Sequence, residues 1–193
     1  EGRLGIALGD VSGKGLFAGL QVAGLQAHVQ SMAPRHGEAL DGMVAEISRL
    51  LHSASDSNRY ATLFFGQYDD ATRELRYVNA GHNQPLIVKK DGTLSMLECG
   101  GLILGAMSEM TYEQESVRLD PGDLLFLYTD GLSEAENPEG DMYDEERVEE
   151  FVKRSRDLPL DRMVEELASE VGAFMAGTER KDDLTLLIAR VKE

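Results

Sequence analysis

Asp10, Asp130 and the Asp182-Asp183 pair are the carboxylates whose setting suits chemistry, because each stands at the edge of an apolar run and beside a turn or small residue. The local words are Gly9-Asp10-Val11-Ser12-Gly13-Lys14-Gly15, Tyr128-Thr129-Asp130-Gly131 and Lys181-Asp182-Asp183-Leu184-Thr185. A strand that buries its side chains and ends in a carboxylate presents that charge at the rim of the core, where only a cation or several donors offset its desolvation. Rims of this kind converging in space would hold hard, oxygen-preferring ions such as Mg²⁺ or Mn²⁺. Taken singly, each Asp reads as a turn former or a helix cap. The metal reading rests on the sites together.

The elements that must position these carboxylates follow from periodicity. Leu4 to Leu8 is a short apolar run ending at Asp10, read as a buried strand before a glycine-rich turn. From Leu16 to about Met32, Leu16, Leu20, Ala23, Ala27 and Val29 recur near the helical period, and Pro34 is expected to stop the helix. A second helix over Ala39 to Ala54 carries Met43, Ile47, Leu50 and Leu51 on one stripe, and both helices are expected against a sheet. An antiparallel meander is expected over Tyr60 to Tyr68, Glu74 to Asn79, Pro85 to Lys89 and Thr93 to Glu98, with Asp91-Gly92 as a hairpin turn. Val117 to Leu119 and Leu124 to Tyr128 flank the turn Asp120-Pro121-Gly122-Asp123. Helices are expected at Glu145 to Arg156 and Leu160 to Ala176, the second burying Met163, Leu167, Val171 and Phe174. Leu184 to Val191 reads as a strand entering the centre of a sheet, with Asp182-Asp183 at its start. Strands in runs with helices grouped between them indicate α+β, sheet on sheet with helices outside.

Composition narrows the function. The 193 residues suffice for one domain with a full core, and no Pro/Gly/Ser-rich linker divides them. The formal charge of −16 repels phosphate backbones and anionic lipid, so neither nucleic acid nor a membrane surface is the expected partner. The acidic stretches Glu134 to Glu150 and Glu165 to Glu170 read as solvated helix faces. No apolar run approaches the roughly 20 residues of a bilayer span, and the first residues lack an export signal, which predicts a soluble, cytoplasmic protein. The lone Cys99 excludes an internal disulfide, and no Cys/His spacing resembles a zinc site.

Rival motifs fail on spacing. Gly9 to Gly15 is not a Walker loop, since Leu8 holds the position of its first glycine and Gly15 that of its Ser or Thr. It also lacks the third glycine of a dinucleotide fingerprint. Lys14 is then a surface charge or an aid to attracting phosphate. Ser12 is not in a nucleophile elbow, and His82, in Asn79-Ala80-Gly81-His82-Asn83, reads as a turn-stabilising or pocket-lining side chain rather than a general base.

The words Ala7-Leu8-Gly9-Asp10-Val11-Ser12-Gly13-Lys14-Gly15, Tyr60-Ala61-Thr62-Leu63-Phe64, Tyr77-Val78-Asn79-Ala80-Gly81-His82-Asn83, Leu104-Gly105, Pro121-Gly122-Asp123, Tyr128-Thr129-Asp130-Gly131 with Glu134, and Lys181-Asp182-Asp183-Leu184-Thr185 occur in this order. The chain thereby resembles the PPM-type, metal-dependent serine/threonine protein phosphatases, specifically the bacterial SpoIIE-like branch that controls sigma factors. The resemblance implies an antiparallel β-sandwich flanked by helices, with two Mn²⁺ or Mg²⁺ ions at one edge. It implies that Asp10 bridges both ions, that the Val11 carbonyl ligates one, and that Asp130 and Asp182 complete the protein ligands, with Asp183 orienting its neighbours or binding metal. The reaction implied is attack of a metal-bridging water on a phosphoserine or phosphothreonine, without a covalent phospho-enzyme.

Members of this branch carry a further acidic motif on a strand just before the Asp10 strand, and the chain starts at Glu1, so a single domain over 1–193 lacking its N-terminal strand is expected. Asp144 follows Met142-Tyr143 where the branch has glycine after an aromatic. The expected substrate is a phosphorylated regulatory protein, by resemblance an anti-sigma-factor antagonist, with an N-terminal sensor or regulatory segment in the full-length protein. The alternative is a phosphatase-like module that binds a regulatory partner without turnover.

Overall fold

A computed structural model describes residues 2–54 and 60–192, which form two compact units. One unit comprises Glu1–His82 and Glu98–Leu119, the other Asn83–Leu97 and Asp120–Glu193.

The first unit is built on a sheet of β1 (Arg3–Val11), β2 (Ala61–Asp69), β3 (Glu74–Ala80), β6 (Gly100–Gly101) and β7 (Glu115–Arg118), with helices α1 (Leu16–His36) and α2 (Leu40–Ala54). β1, β2 and β3 pair antiparallel in sequence order, and β3 also takes β7 antiparallel and the two-residue β6 parallel. As expected of a strand covered on both faces, β2 buries Leu63, Phe64 and Phe65 alike. α2 buries Leu40, Met43, Val44 and Ile47, a helical stripe that packs with Leu63, Phe65 and Val78 into one core.

α1 departs from expectation twice. It runs through Pro34 to His36 and ends at Gly37, whose φ of 59° is the stop signal; a proline in the last turn removes one ladder bond without preventing the turn. Its buried residue is Leu25, joined by Val29, Met32 and Ala33, whereas Leu16 and Leu20 are exposed. The apolar positions on this helix exceed what one face can bury, so periodicity alone picked the wrong stripe.

The second unit holds a four-stranded antiparallel sheet in the order β5 (Leu94–Met96), β4 (Leu86–Val88), β8 (Leu124–Tyr128), β9 (Leu186–Arg190). Its helices are α3 (Asp130–Ser133), α4 (Asp144–Ser155) and α5 (Leu160–Met175). α5 buries Met163, Leu167, Val171 and Met175 in a core shared with Phe126, Tyr128 and, from α4, Val148, Phe151 and Val152. Each such side chain contributes about 1.5–3 kcal/mol of hydrophobic stabilisation.

The expected single meander is divided between the sheets: β3 stays in the first, while β4 and β5 form the edge of the second. The turn after β3 uses Gly81 at φ 69° to redirect the chain. For the same reason β7 and β8, which flank the Asp120 to Asp123 turn, do not pair with each other. β9 is an edge strand rather than a central one, and its residues are only half-buried. No helix among the described residues is long and apolar enough to cross a membrane.

Candidate functional site

The register of β8 on β9 explains why Asp130 and the Asp182-Asp183 pair meet although they are distant in sequence. The strands are antiparallel, with Tyr128 opposite Leu186, so the residues after β8 and those before β9 occupy the same end of the ladder. Beyond the last pair the contact continues through Thr129. Its amide donates to the Thr185 carbonyl at 3.1 Å, its hydroxyl donates to the Asp183 carbonyl at 3.1 Å, and the Thr185 amide donates to that hydroxyl at 3.0 Å. Gly131 closes the approach, since a Cβ there would lie 2.3 Å from the Asp183 carbonyl oxygen. Asp130 itself opens the short helix α3.

One helical turn after Asp130, Glu134 shares the field of these acids. Its carboxyl is held above the usual value, first by partial burial, then by the charges of Asp130 and Asp182 and, further off, of Glu145 and Glu136. Lys181 nearby is engaged with Glu136. Asp182 accepts the amide of Asp183 at 2.8 Å, and both side chains are exposed.

Asp10 lies in the other unit, half-buried near the end of β1 and directly opposite Thr62 of β2. Its amide donates to the Thr62 hydroxyl at 3.3 Å. Val11, whose carbonyl was the further expected ligand, is buried. Gly9 keeps the strands close, for a Cβ on it would lie 2.7 Å from the Thr62 carbonyl oxygen. Among the described residues no three His, Cys, Asp or Glu side chains gather tightly enough to enclose an ion. The donors that do share a field, Asp130, Asp182 and Glu134, are hard oxygen ligands, the type that suits Mg²⁺ or Mn²⁺ rather than a soft metal.

Glu134 stands in the same sequence word as Asp130, and the sequence alone gives it no role. Its signal was its place four residues after Asp130, which puts both on one helix face. Thr62 and Asn79 were present in motif words as well, and their contribution depends on contacts between distant segments.

Two largely antiparallel sheets with helices, and carboxylates near strand ends, are the features of a PP2C-type phosphatase domain. The PP2C phosphatase domain of SpoIIE from Bacillus subtilis, solved with a fragment of its regulatory domain, superimposes with a TM-score of 0.76 at 21% identity, over 98% of this chain and 55% of that one. The chain belongs to the SpoIIE family, described as Stage II sporulation protein E, whose profile matches residues 1–192. The RsbU and RsbW domains of Rv1364c from Mycobacterium tuberculosis give a TM-score of 0.76 at 26% identity, covering 99% of this chain and 52% of that structure. Phosphoserine phosphatase RsbU of Bacillus subtilis (strain 168) is 25% identical over 190 residues, 98% of this chain and 56% of RsbU. The chain spans between 21% and 56% of the length of the curated relatives it matches.

Proposed function

We propose that these 193 residues act as one metal-dependent phosphoprotein phosphatase domain that removes phosphate from phosphoserine or phosphothreonine of a regulatory protein. The observation that carries the reading is the meeting of the Asp130 and Asp182-Asp183 segments at one end of the β8–β9 ladder, held by the Thr129 hydroxyl between the Asp183 carbonyl and the Thr185 amide. Acids that repel one another at a strand-end rim are stabilised by a divalent cation, and membership of a phosphatase family supports the same conclusion.

By the family resemblance Asp130 and Asp182 would hold Mn²⁺ or Mg²⁺, Asp10 and the Val11 carbonyl would be further ligands, two ions being expected, and Asp183 would orient its neighbours. When bound, the ions supply the positive charge that acidifies the attacking water and offsets charge growing on the phosphoryl oxygens. Thr129 fixes the approach of the Asp130 segment to the Asp183 segment, so these ligands are preorganised. Glu134, one helical turn after Asp130, is a further carboxyl on the same face, and when ionised it favours cation binding. The net charge of −16 disfavours a polyanionic substrate, consistent with a single phosphoryl group on a protein. RsbU, named a phosphoserine phosphatase, supports the substrate class. By the family resemblance the regulatory protein is an anti-sigma-factor antagonist, dephosphorylated in the cytoplasm.

The test is phosphate release from a phosphoserine peptide with millimolar Mn²⁺, by the 193-residue chain and by a longer chain that contains it. Release abolished by chelator and by Asp130→Asn is expected. If both chains are inert but bind the unphosphorylated peptide, the domain is a binding module and the enzyme reading fails.

A further inference from the structure

We infer that His82 is a positioning residue that acts through Thr62 on the segment of β1 carrying Asp10. The inference rests on the proposed role of Asp10 as a metal ligand. The Thr62 hydroxyl oxygen accepts the Asp10 amide at 3.3 Å and lies 2.9 Å from Nδ1 of His82. A hydroxyl that accepts from an amide keeps its own proton and a second lone pair, so it engages the imidazole nitrogen in either tautomer.

The turn bearing His82 is built to hold that ring. His82 is 5% exposed and Asn79 is 4% exposed. The Asn79 side chain brackets the turn, its Oδ1 accepting the His82 amide at 2.8 Å and its Nδ2 donating to the His82 carbonyl at 3.0 Å. Gly81 permits the turn at φ 69°, and a Cβ there would lie 2.6 Å from Cγ2 of Ile103. A residue that only made a turn would need neither burial nor a ring nitrogen against a strand hydroxyl. With that nitrogen in place the rotation of the Thr62 side chain is fixed, and so is the amide it holds. The backbone at Asp10, from which the ligand carboxylate and the adjoining Val11 carbonyl project, loses freedom that metal binding would otherwise have to remove.

Calorimetric titration of the 193-residue chain with Mn²⁺ tests this on Thr62→Val, His82→Leu, their double variant, His82→Asn and Asp10→Asn. Thr62→Val and His82→Leu are each expected to weaken Mn²⁺ binding about 10–100-fold, the range for partners that orient a ligand. The double variant is expected to be no weaker than the worse single, because both act through one contact. His82→Asn, whose amide reaches the position of Nδ1, is expected to restore most of the affinity, which a general loss of packing would not allow. Thr62→Val is nearly isosteric and carries the test if His82→Leu does not fold.

Wild-type affinity in Thr62→Val, full additivity in the double variant, or a His82→Asn as weak as His82→Leu would overturn the inference while leaving Asp10 a ligand. Wild-type affinity in Asp10→Asn, or a parent chain that binds no Mn²⁺, would remove the reading of Asp10 itself and the inference with it.

Discussion

The carbonyl oxygen of Asp183 occupies the space where a side chain on residue 131 would begin: a Cβ on Gly131 would lie 2.3 Å from it. Backbone stands on both sides of this contact, so no side-chain rotation can relieve it. Gly131→Ala is therefore expected to separate the Asp130 and Asp183 segments and to cost about 1–3 kcal/mol of stability, the usual penalty of overpacking. Denaturant unfolding of the variant measures it. Unchanged stability would mean that the two segments slide past each other freely.

Asp144 occupies a left-handed position, φ 63°, a backbone region that favours glycine. Its side chain compensates by accepting the Arg147 amide at 3.0 Å and pairing with the Arg147 guanidinium at 2.9 Å, which caps the start of α4. Asp144→Ala loses the cap and keeps the strained backbone, so about 2 kcal/mol is expected to be lost. Asp144→Gly also loses the cap but relieves the strain, and its loss is expected to stay below about 1 kcal/mol. Thermal unfolding of the pair checks the order, and an alanine variant as stable as the glycine one contradicts it.

Asp69 governs the turn between β2 and β3 and predicts an acid limb of stability. The Thr72 amide, the Ala71 amide and the Arg3 guanidinium hold its carboxyl below the usual carboxylate value. Because the folded value is depressed, the stabilisation is present above the unfolded value of about 3.9 and is lost as pH falls through the folded one. Asp69→Asn lacks this titration. Between about pH 5 and pH 2 the parent is expected to lose more stability than Asp69→Asn, measured by urea unfolding at each pH. Parallel curves would contradict the assignment.

Apolar runs made much of the fold legible. The stretch Leu124 to Tyr128 and the helix burying Met163, Leu167 and Val171 stand where periodicity puts them. The place of Asp130 just past a strand was also readable, because a carboxylate next to an apolar, aromatic run leaves few places for its charge, whereas β9 begins only at Leu186, so Asp182 precedes the strand rather than starting it. Strand partners were not. Nothing local in Glu74 to Glu98 says that the chain changes sheets after Gly81, since the choice depends on Gly81 meeting Ile103, a distant residue. The apolar surplus on α1 likewise concealed which face Leu25 would anchor. In the site, Thr62 and His82 were legible as residue types but not as a pair, because Asp10 lies 52 positions from Thr62 and Thr62 lies 20 from His82.

Calorimetric titration of the chain with Mn²⁺, beside Asp130→Asn and Asp182→Asn, tests most directly whether these acids form a metal cradle. The parent chain is expected to bind, and binding is expected to weaken about tenfold or more in each variant, since ligand charge sets the affinity of such sites. Binding of equal strength in all three proteins, or none in the parent, would contradict such a cradle.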